Sequence, residues 1–320
     1  MYHHSVFGGH LASELPFPEL PTVHPAEPDW ILRRAKSPPP PRGAEVVGED
    51  SFNGIGIRLL SDDAGFRLEL DDTGTFDVSA DGTTIQWYPG PRSPDLVVRA
   101  DVMSRVLVIA LHIRGRLCLH GSAVAVRSAA IAFVAPSRHG KSSLAFSMVQ
   151  AGGRLLTDDV LVVDAENAVA TPGVQNVRLW QDAVESLRAN EAPGTLSRPG
   201  RKDVLSNLPE EMLAGGSAPL RAIYNLRPIR DEPSAAPAAR TLLPPRAAAL
   251  TILRHARLGR LLSGLEAARV LQRATSLARI VPVYDLQVVR NWERLPEAVQ
   301  LLGEWHGLDP APLTGAKGTT

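Results

Sequence analysis

The residues best suited to chemistry lie between His120 and Asp159. The run Ala135-Pro136-Ser137-Arg138-His139-Gly140-Lys141-Ser142-Ser143 has the outline of a phosphate-binding loop, G-x-x-x-x-G-K-[ST], with Ala135 in the place of the first glycine. The chemistry of holding a nucleotide explains the residue types. Backbone N–H groups wrap the phosphates, Lys141 reaches the β/γ oxygens, and the Ser142 hydroxyl ligates Mg²⁺. The helix that follows directs its N–H groups and positive dipole end at the anion. Arg138 has two open readings, a phosphate contact or a solvent-facing cation. Lys141 is also the only lysine between residues 37 and 201 of a chain whose 34 basic residues include just four lysines. Downstream, Arg154-Leu-Leu-Thr-Asp158-Asp159, with Asp159 eighteen residues after Lys141, runs into Val160–Val163. Two adjacent carboxylates on a strand point to opposite faces, so one can face the metal–phosphate site and the other a substrate hydroxyl whose proton it accepts. An Asp-Asp turn between strands is the competing reading. Twenty-one residues before Lys141, His120-Gly121-Ser122 interrupts a strand. From a neighbouring strand, His120 could approach the phosphates and favour the transition-state charge.

The elements that must position these groups are legible around them. Arg116–Val126 and Ala129–Val134 read as strands, Ser142–Val149 as a helix ending at Gly152-Gly153, and Val160–Val163 as a further strand. Strand, glycine-containing loop, helix, strand opens an α/β unit. Asp101 stands where the N-cap of a buried helix over 102–111 would be. Residues 190–202 and 228–246, rich in Pro, Ala and Arg, read as loops, 247–257 and 261–279 as helices, 281–288 as a strand and 296–305 as a closing helix. Upstream, 11–45 is proline-rich and reads as extended or irregular. From Phe52 the period becomes two, with Phe76, Val78 and Ala80 facing Ile85 and Trp87 across an Asp81-Gly82 hairpin turn. Residues 1–100 are expected to form a small, mainly antiparallel β domain, and 101–320 a catalytic domain. His3, His4 and His10 read as scattered histidines of a flexible segment. The acidic cluster Asp62, Asp63, Glu69, Asp71 and Asp72 reads as turn residues and a solvated face.

Composition narrows the classes. The chain has 320 residues, 34 basic against 34 acidic, and 44% hydrophobic residues, enough for a core and about two domains. Residues 1–110 carry 16 acidic and 9 basic side chains, and 111–320 carry 18 and 25, so an acidic first part precedes a basic one suited to an anionic ligand. Zero net charge without a Lys/Arg block argues against nucleic acid as a partner. The single cysteine, Cys118, rules out a disulfide framework. No apolar run is long enough for a membrane span, and no signal segment opens the chain, so a soluble, cytoplasmic protein is expected.

The block from Leu119 to Val163 resembles the catalytic core of the HPr kinase/phosphorylase family, which carries His-Gly on a strand, a P-loop, and R-L-V-A-D-D in that order and at similar intervals. The resemblance implies an α/β P-loop kinase core of the HPr kinase/PEP carboxykinase type behind the β domain. It implies ATP and Mg²⁺ as cofactors, with Lys141 on the β/γ phosphates and Ser142 on the metal. Asp158 would support the metal, Asp159 would take the proton of an acceptor serine, and His120 would assist near the transferring group. It also implies assembly into homo-oligomers. Two glycines of the family loop are replaced, by Ala135 and Arg138, and the family's later glutamate-bearing segment gives way to Pro172–Trp180. The phosphorylase reaction and recognition of HPr therefore stay open. The element Leu15-Pro-Phe-Pro-Glu-Leu20, followed by His-Gly, the loop, Asp-Asp and Arg178-Leu-Trp180, is similar to a shorter branch, some members of which phosphorylate a serine of a lasso-peptide precursor. The expected partner is thus a peptide or protein serine, presented with help from the β domain. A small-molecule kinase and a nucleotide-binding regulatory module with little transfer activity are the alternatives.

Overall fold

Alternating burial along residues 1–89 produces eight short strands: β1 (Tyr2–Val6), β2 (Gly9–Ser13), β3 (Trp30–Arg34), β4 (Glu45–Phe52), β5 (Ile55–Asp62), β6 (Gly65–Leu70), β7 (Gly74–Ser79) and β8 (Thr84–Pro89). In the computed structural model, which describes residues 1–37, 39–40, 43–52, 54–90, 93–189, 191–197 and 201–307, they form one sheet in the order β1-β2-β3-β8-β7-β6-β5-β4. Every pairing is antiparallel except β2–β3 and β3–β8. The β7–β8 hairpin turns at Asp81-Gly82, where Gly82 takes φ +70° and Asp81 Oδ1 accepts from the Thr83 N–H. The first 34 residues depart from the irregular chain expected there. His3 and His10 sit on paired strands with ring nitrogens 2.9 Å apart, and His4 is buried against Phe17. Their prolines fall in the connections, which leaves the period-two stretches too short to read from sequence. Part of the Pro38–Arg42 stretch lies outside the described residues.

A broken helix leads out of this sheet: α1 (Asp95–Asp101), a π-helical turn (Val102–Val106) and α2 (Leu107–Ile113). It begins after Pro94, not at Asp101. Asp101 is buried inside it and bonds Thr73 and Arg105, which ties the helix to the first sheet.

The second sheet is mixed. Its strands are β9 (Leu117–Val126), β10 (Ala129–Val134), β11 (Arg154–Thr157), β12 (Val160–Asp164), β13 (Val169–Thr171), and, after β14 to β16, β17 (Ala218–Ile229), β18 (Ala238–Leu242) and β19 (Val283–Val289). β10 pairs antiparallel with β9 and parallel with β17, and β17 pairs parallel with β19. β9 is shared: residues 117–120 pair with β12 and 121–126 with β10, so β9, β12, β13, β17 and β10 close a ring. The strands β14 (Val177–Leu179), β15 (Thr195–Ser197) and β16 (Asp203–Ser206) make a small antiparallel sheet. Strands thus occur inside 190–202 and 228–246, both expected as loops. They are short, and β15 and β18 are largely exposed, so neither shows a buried period.

The remaining helices are α3 (Lys141–Gln150), α4 (Gln181–Ser186), α5 (Pro245–Arg254), α6 (Gly264–Ile280) and α7 (Leu295–His306). One core lies between the first sheet, α2, α5, α6 and one face of the mixed sheet, and includes Trp87, Leu107, Leu119, Ile252 and Leu277. A second core on the other face packs α3, α4 and α7 over Phe133 and Tyr224. Among the described residues no helix is long and apolar enough to cross a membrane.

Candidate functional site

All six residues of β10 are buried, which makes it the rigid support for the loop behind it. The loop residues Pro136, Ser137 and Arg138 are exposed, and Arg138 takes φ +66°. Gly140 takes φ +88° at the N-cap of α3, a left-handed turn that glycine adopts without the cost a Cβ carries. With no side chain capping the helix, its first N–H groups are left for a ligand. The apolar lining of α3 (Leu144, Phe146, Met148) locks it against the sheet.

Lys141 is only 7% exposed, and its Nζ donates to the Ala135 and Pro136 carbonyls at 2.9 and 3.2 Å. Burial pushes its pKa down to about 8, against the attraction of Asp158. The Ser142 Oγ donates to Asp158 Oδ1 at 2.9 Å, and so does the Ser122 Oγ from β9 at 2.5 Å. Asp158 Oδ2 accepts the Arg178 N–H at 2.9 Å. One carboxylate therefore joins the loop helix, the histidine-bearing strand and β14.

Asp158 and Asp159 lie between β11 and β12, not on a strand. The turn reading describes their backbone, but they still diverge, because Asp159 adopts φ +82°. A positive φ in a non-glycine residue costs on the order of 1 kcal/mol and is held here by its surroundings. Asp159 Oδ1 lies 3.2 Å from His120 Nδ1, and Oδ2 lies 3.1 Å from Arg257 Nη2 and 3.8 Å from Arg178 Nη1. Burial alone would raise this carboxyl, but the Arg257 charge and the His120 hydrogen bond outweigh it and hold it well below the usual carboxylate range.

Three groups carry no signal in the sequence. Arg257, just past α5, donates to an Asp159 carboxylate oxygen and to the Ser104 carbonyl of the π-helical turn (3.1 Å), and its Nη1 lies 3.2 Å from His120 Nδ1. His255 accepts the His120 N–H on its carbonyl at 2.7 Å, and its imidazole meets Asn225 Oδ1 at 3.3 Å. Burial, then the charges of Lys141 and His120, push His255 down to about 4, so its ring is neutral at pH 7. Asn225, beside Val134 on β17, donates to Asp285 on β19 at 2.6 Å. No local motif marks these residues; strand pairing brings them in.

A cavity of about 740 Å³ opens over the loop. Its walls include Lys141 and Ser142, the cations Arg178, Lys202 and Arg290, and Trp180. The Arg138 guanidinium stacks on Trp180, 4.2 Å from the ring centre. Trp180 Nε1 is buried without a hydrogen-bond partner among the described residues. A second cavity of about 280 Å³ lies against Asp158 and Asp159, and Arg178 borders both. Of the nine loop residues from Ala135 to Ser143, those from Arg138 onward line the larger cavity, while Ala135 and Pro136 hold the lysine from behind. His139 folds back on the Ser137 carbonyl. The clustered histidines and carboxylates of the described residues form no set of three or more suited to a metal. In the acidic cluster at 62–72, Asp62 accepts from the Ala64 N–H within its turn, and Asp71 accepts from the Gly56 N–H of the neighbouring strand β5.

Compared with protein-family models the chain matches none, and no curated protein matches it. Among solved structures it is similar to the Hpr(Ser) kinase/phosphatase from Coxiella burnetii, at 14% identity and a TM-score of 0.31, over 60% of this chain and 90% of that one.

Proposed function

We propose that the chain is an ATP- and Mg²⁺-dependent kinase that transfers the γ-phosphoryl group to a hydroxyl, a serine of a peptide or protein. The observation that supports it is the junction at Asp158: the hydroxyl after the loop lysine is hydrogen-bonded to one carboxylate, and the next carboxylate, Asp159, borders a separate cavity. Ser142 Oγ and Asp158 Oδ1 are hard oxygen donors, which suits Mg²⁺ completed by phosphate oxygens and water. When bound, the ion neutralises charge on the β/γ oxygens. Lys141 leaves the Ala135 and Pro136 carbonyls to meet the phosphates, and the uncapped N–H groups of α3 receive them. The acceptor oxygen bonds to the γ-phosphorus as the bridging P–O bond breaks, its electron pair leaving with ADP, and the hydroxyl proton passes to Asp159. Such a transfer asks mainly for positioning, so a weakly basic, firmly oriented carboxylate is adequate. Arg257 and His120 orient it.

The test is transfer of labelled phosphate from ATP to serine peptides, lasso-type precursors among them, and to small alcohols. Full activity in Lys141→Ala or Asp159→Asn would refute the residue assignment. Tight ATP binding with no turnover on any acceptor would favour a regulatory module.

A further inference from the structure

The smaller cavity has a position and a lining that name its occupant. We propose that it is the acceptor site, and that it takes a hydroxyl-bearing segment of an extended peptide with no anionic group beside the hydroxyl. This rests on the kinase reading above. Asp158 and Asp159 line this cavity and not the larger one, so nucleotide and acceptor reach the carboxylates from separate openings, with Arg178 at the seam. That is the arrangement an in-line displacement needs, because attacking and leaving oxygens stand on opposite sides of phosphorus.

The two walls differ in character. Leu96, Ala100 and Met103 of α1 and the π-helical turn give an apolar side, extended by Pro18. The other side is one face of the small sheet: Arg178, Val204 and Ser197 stand in register across its three strands, with Ser206 beyond. Its opposite face (Val177, Leu179, Leu205) is sealed in the second core. Apolar groups facing hydroxyls suit a peptide, whose side chains want the first and whose amides want the second. At about 280 Å³ the space is just under the ~300–1,000 Å³ of sites for whole drug-sized ligands, so it holds a side chain and a short stretch of backbone. The rest of the chain would leave across α1, where Leu96 and Val97 are 42% and 37% exposed.

Charge selects further. Glu19, Asp158 and Asp159 all line the cavity, and Arg178, the one cation among the described lining residues, faces Asp159. Arg99 is engaged with Glu19 at 2.9 and 3.0 Å. An acceptor bearing a phosphate or carboxylate beside its hydroxyl would meet carboxylates with no uncommitted cation. The segment carrying Pro18 and Glu19 is joined to the catalytic part by Asn176 Nδ2 donating to the Glu19 carbonyl at 3.4 Å, so the N-terminal sheet supplies part of the wall.

The experiment uses the full chain, labelled ATP, and an array of serine peptides whose flanks are neutral-apolar, acidic or basic, alongside anionic small alcohols. Neutral-apolar peptides should be labelled at least about tenfold faster than acidic ones, given the cost of like charges side by side. Leu96→Glu, at an exposed position, and Ser206→Trp, which fills the cavity, should each raise the peptide KM about tenfold or more, the scale of a misfitted pocket. ATP affinity should stay within about twofold, since the two openings are separate. Unchanged peptide KM in Leu96→Glu, or labelling of an anionic alcohol in preference to every peptide, would overturn the acceptor assignment. ATP affinity unaltered by Lys141→Ala would instead overturn the kinase reading beneath it.

Discussion

Lys141 is the sharpest example of a side chain kept ready at a cost. Burial lowers its pKa to about 8, so the free protein sheds this proton at a pH where an exposed lysine keeps it. A polyphosphate alongside restores the charge, and above pH 8 nucleotide binding should therefore take up a proton and weaken as pH rises, by at most about tenfold per pH unit. Calorimetry in buffers of different ionisation enthalpy measures that uptake. Lys141→Ala should abolish it and lower transfer by roughly a hundredfold or more, the usual effect of losing a preorganised charge partner. Asp159 behaves in the opposite sense. Its folded pKa lies below the ordinary value of about 3.9, so its contribution to stability is complete above that pH and is lost as pH falls below it. Asp159→Asn tolerates the left-handed backbone and should fold. It should cut transfer by roughly 10²–10⁴-fold, and its urea midpoint should drop less than that of the wild type between pH 5 and pH 3.

At the scale of elements, the loop works because α3 starts without a turn of slack. At Gly140 a Cβ would meet nothing within 4 Å, so Gly140→Ala is penalised by backbone conformation alone, about 1 kcal/mol of stability. A denaturation midpoint gives that value; a larger loss in nucleotide affinity would show that the N–H groups are re-aimed as well. This element was readable in the sequence because β10 is continuously apolar, α3 follows at once, and the residue types between them serve one purpose. The loop's neighbours were less readable. Asp158 and Asp159 were found by type, but their divergence comes from a positive φ that no pattern announces. Arg257 and Asn225 reach the site only through the meeting of β9 with the residues after α5 and of β10 with β17, which are pairings across 137 and 91 residues or so of chain (Leu119 with Ala256, Val134 with Asn225). Strands β1–β3 and β14–β16 are not legible in the sequence because three to five residues cannot display a period.

At the scale of the molecule, the charge difference between its two parts does not separate them physically. The core that holds Trp87 and Phe76 of the first sheet also holds Leu119 of the histidine strand and Leu277 of α6, and Asp101 fastens the connecting helix to Thr73. Such a shared core predicts that the chain unfolds as one unit, with tryptophan fluorescence and far-ultraviolet circular dichroism giving coincident transitions. Trp87 is the place to test it. Its ring stacks on Phe76, and Nε1 donates to the Thr73 carbonyl at 3.0 Å, far from Lys141 in sequence and on the other sheet. Trp87→Ala should cost about 3–5 kcal/mol, and that loss should appear in full in the melting of the mixed sheet, read by the protection of β10 amides from hydrogen exchange. Two resolved transitions, with β10 protection unchanged in the variant, would show instead that the first sheet is a unit separate from the mixed sheet.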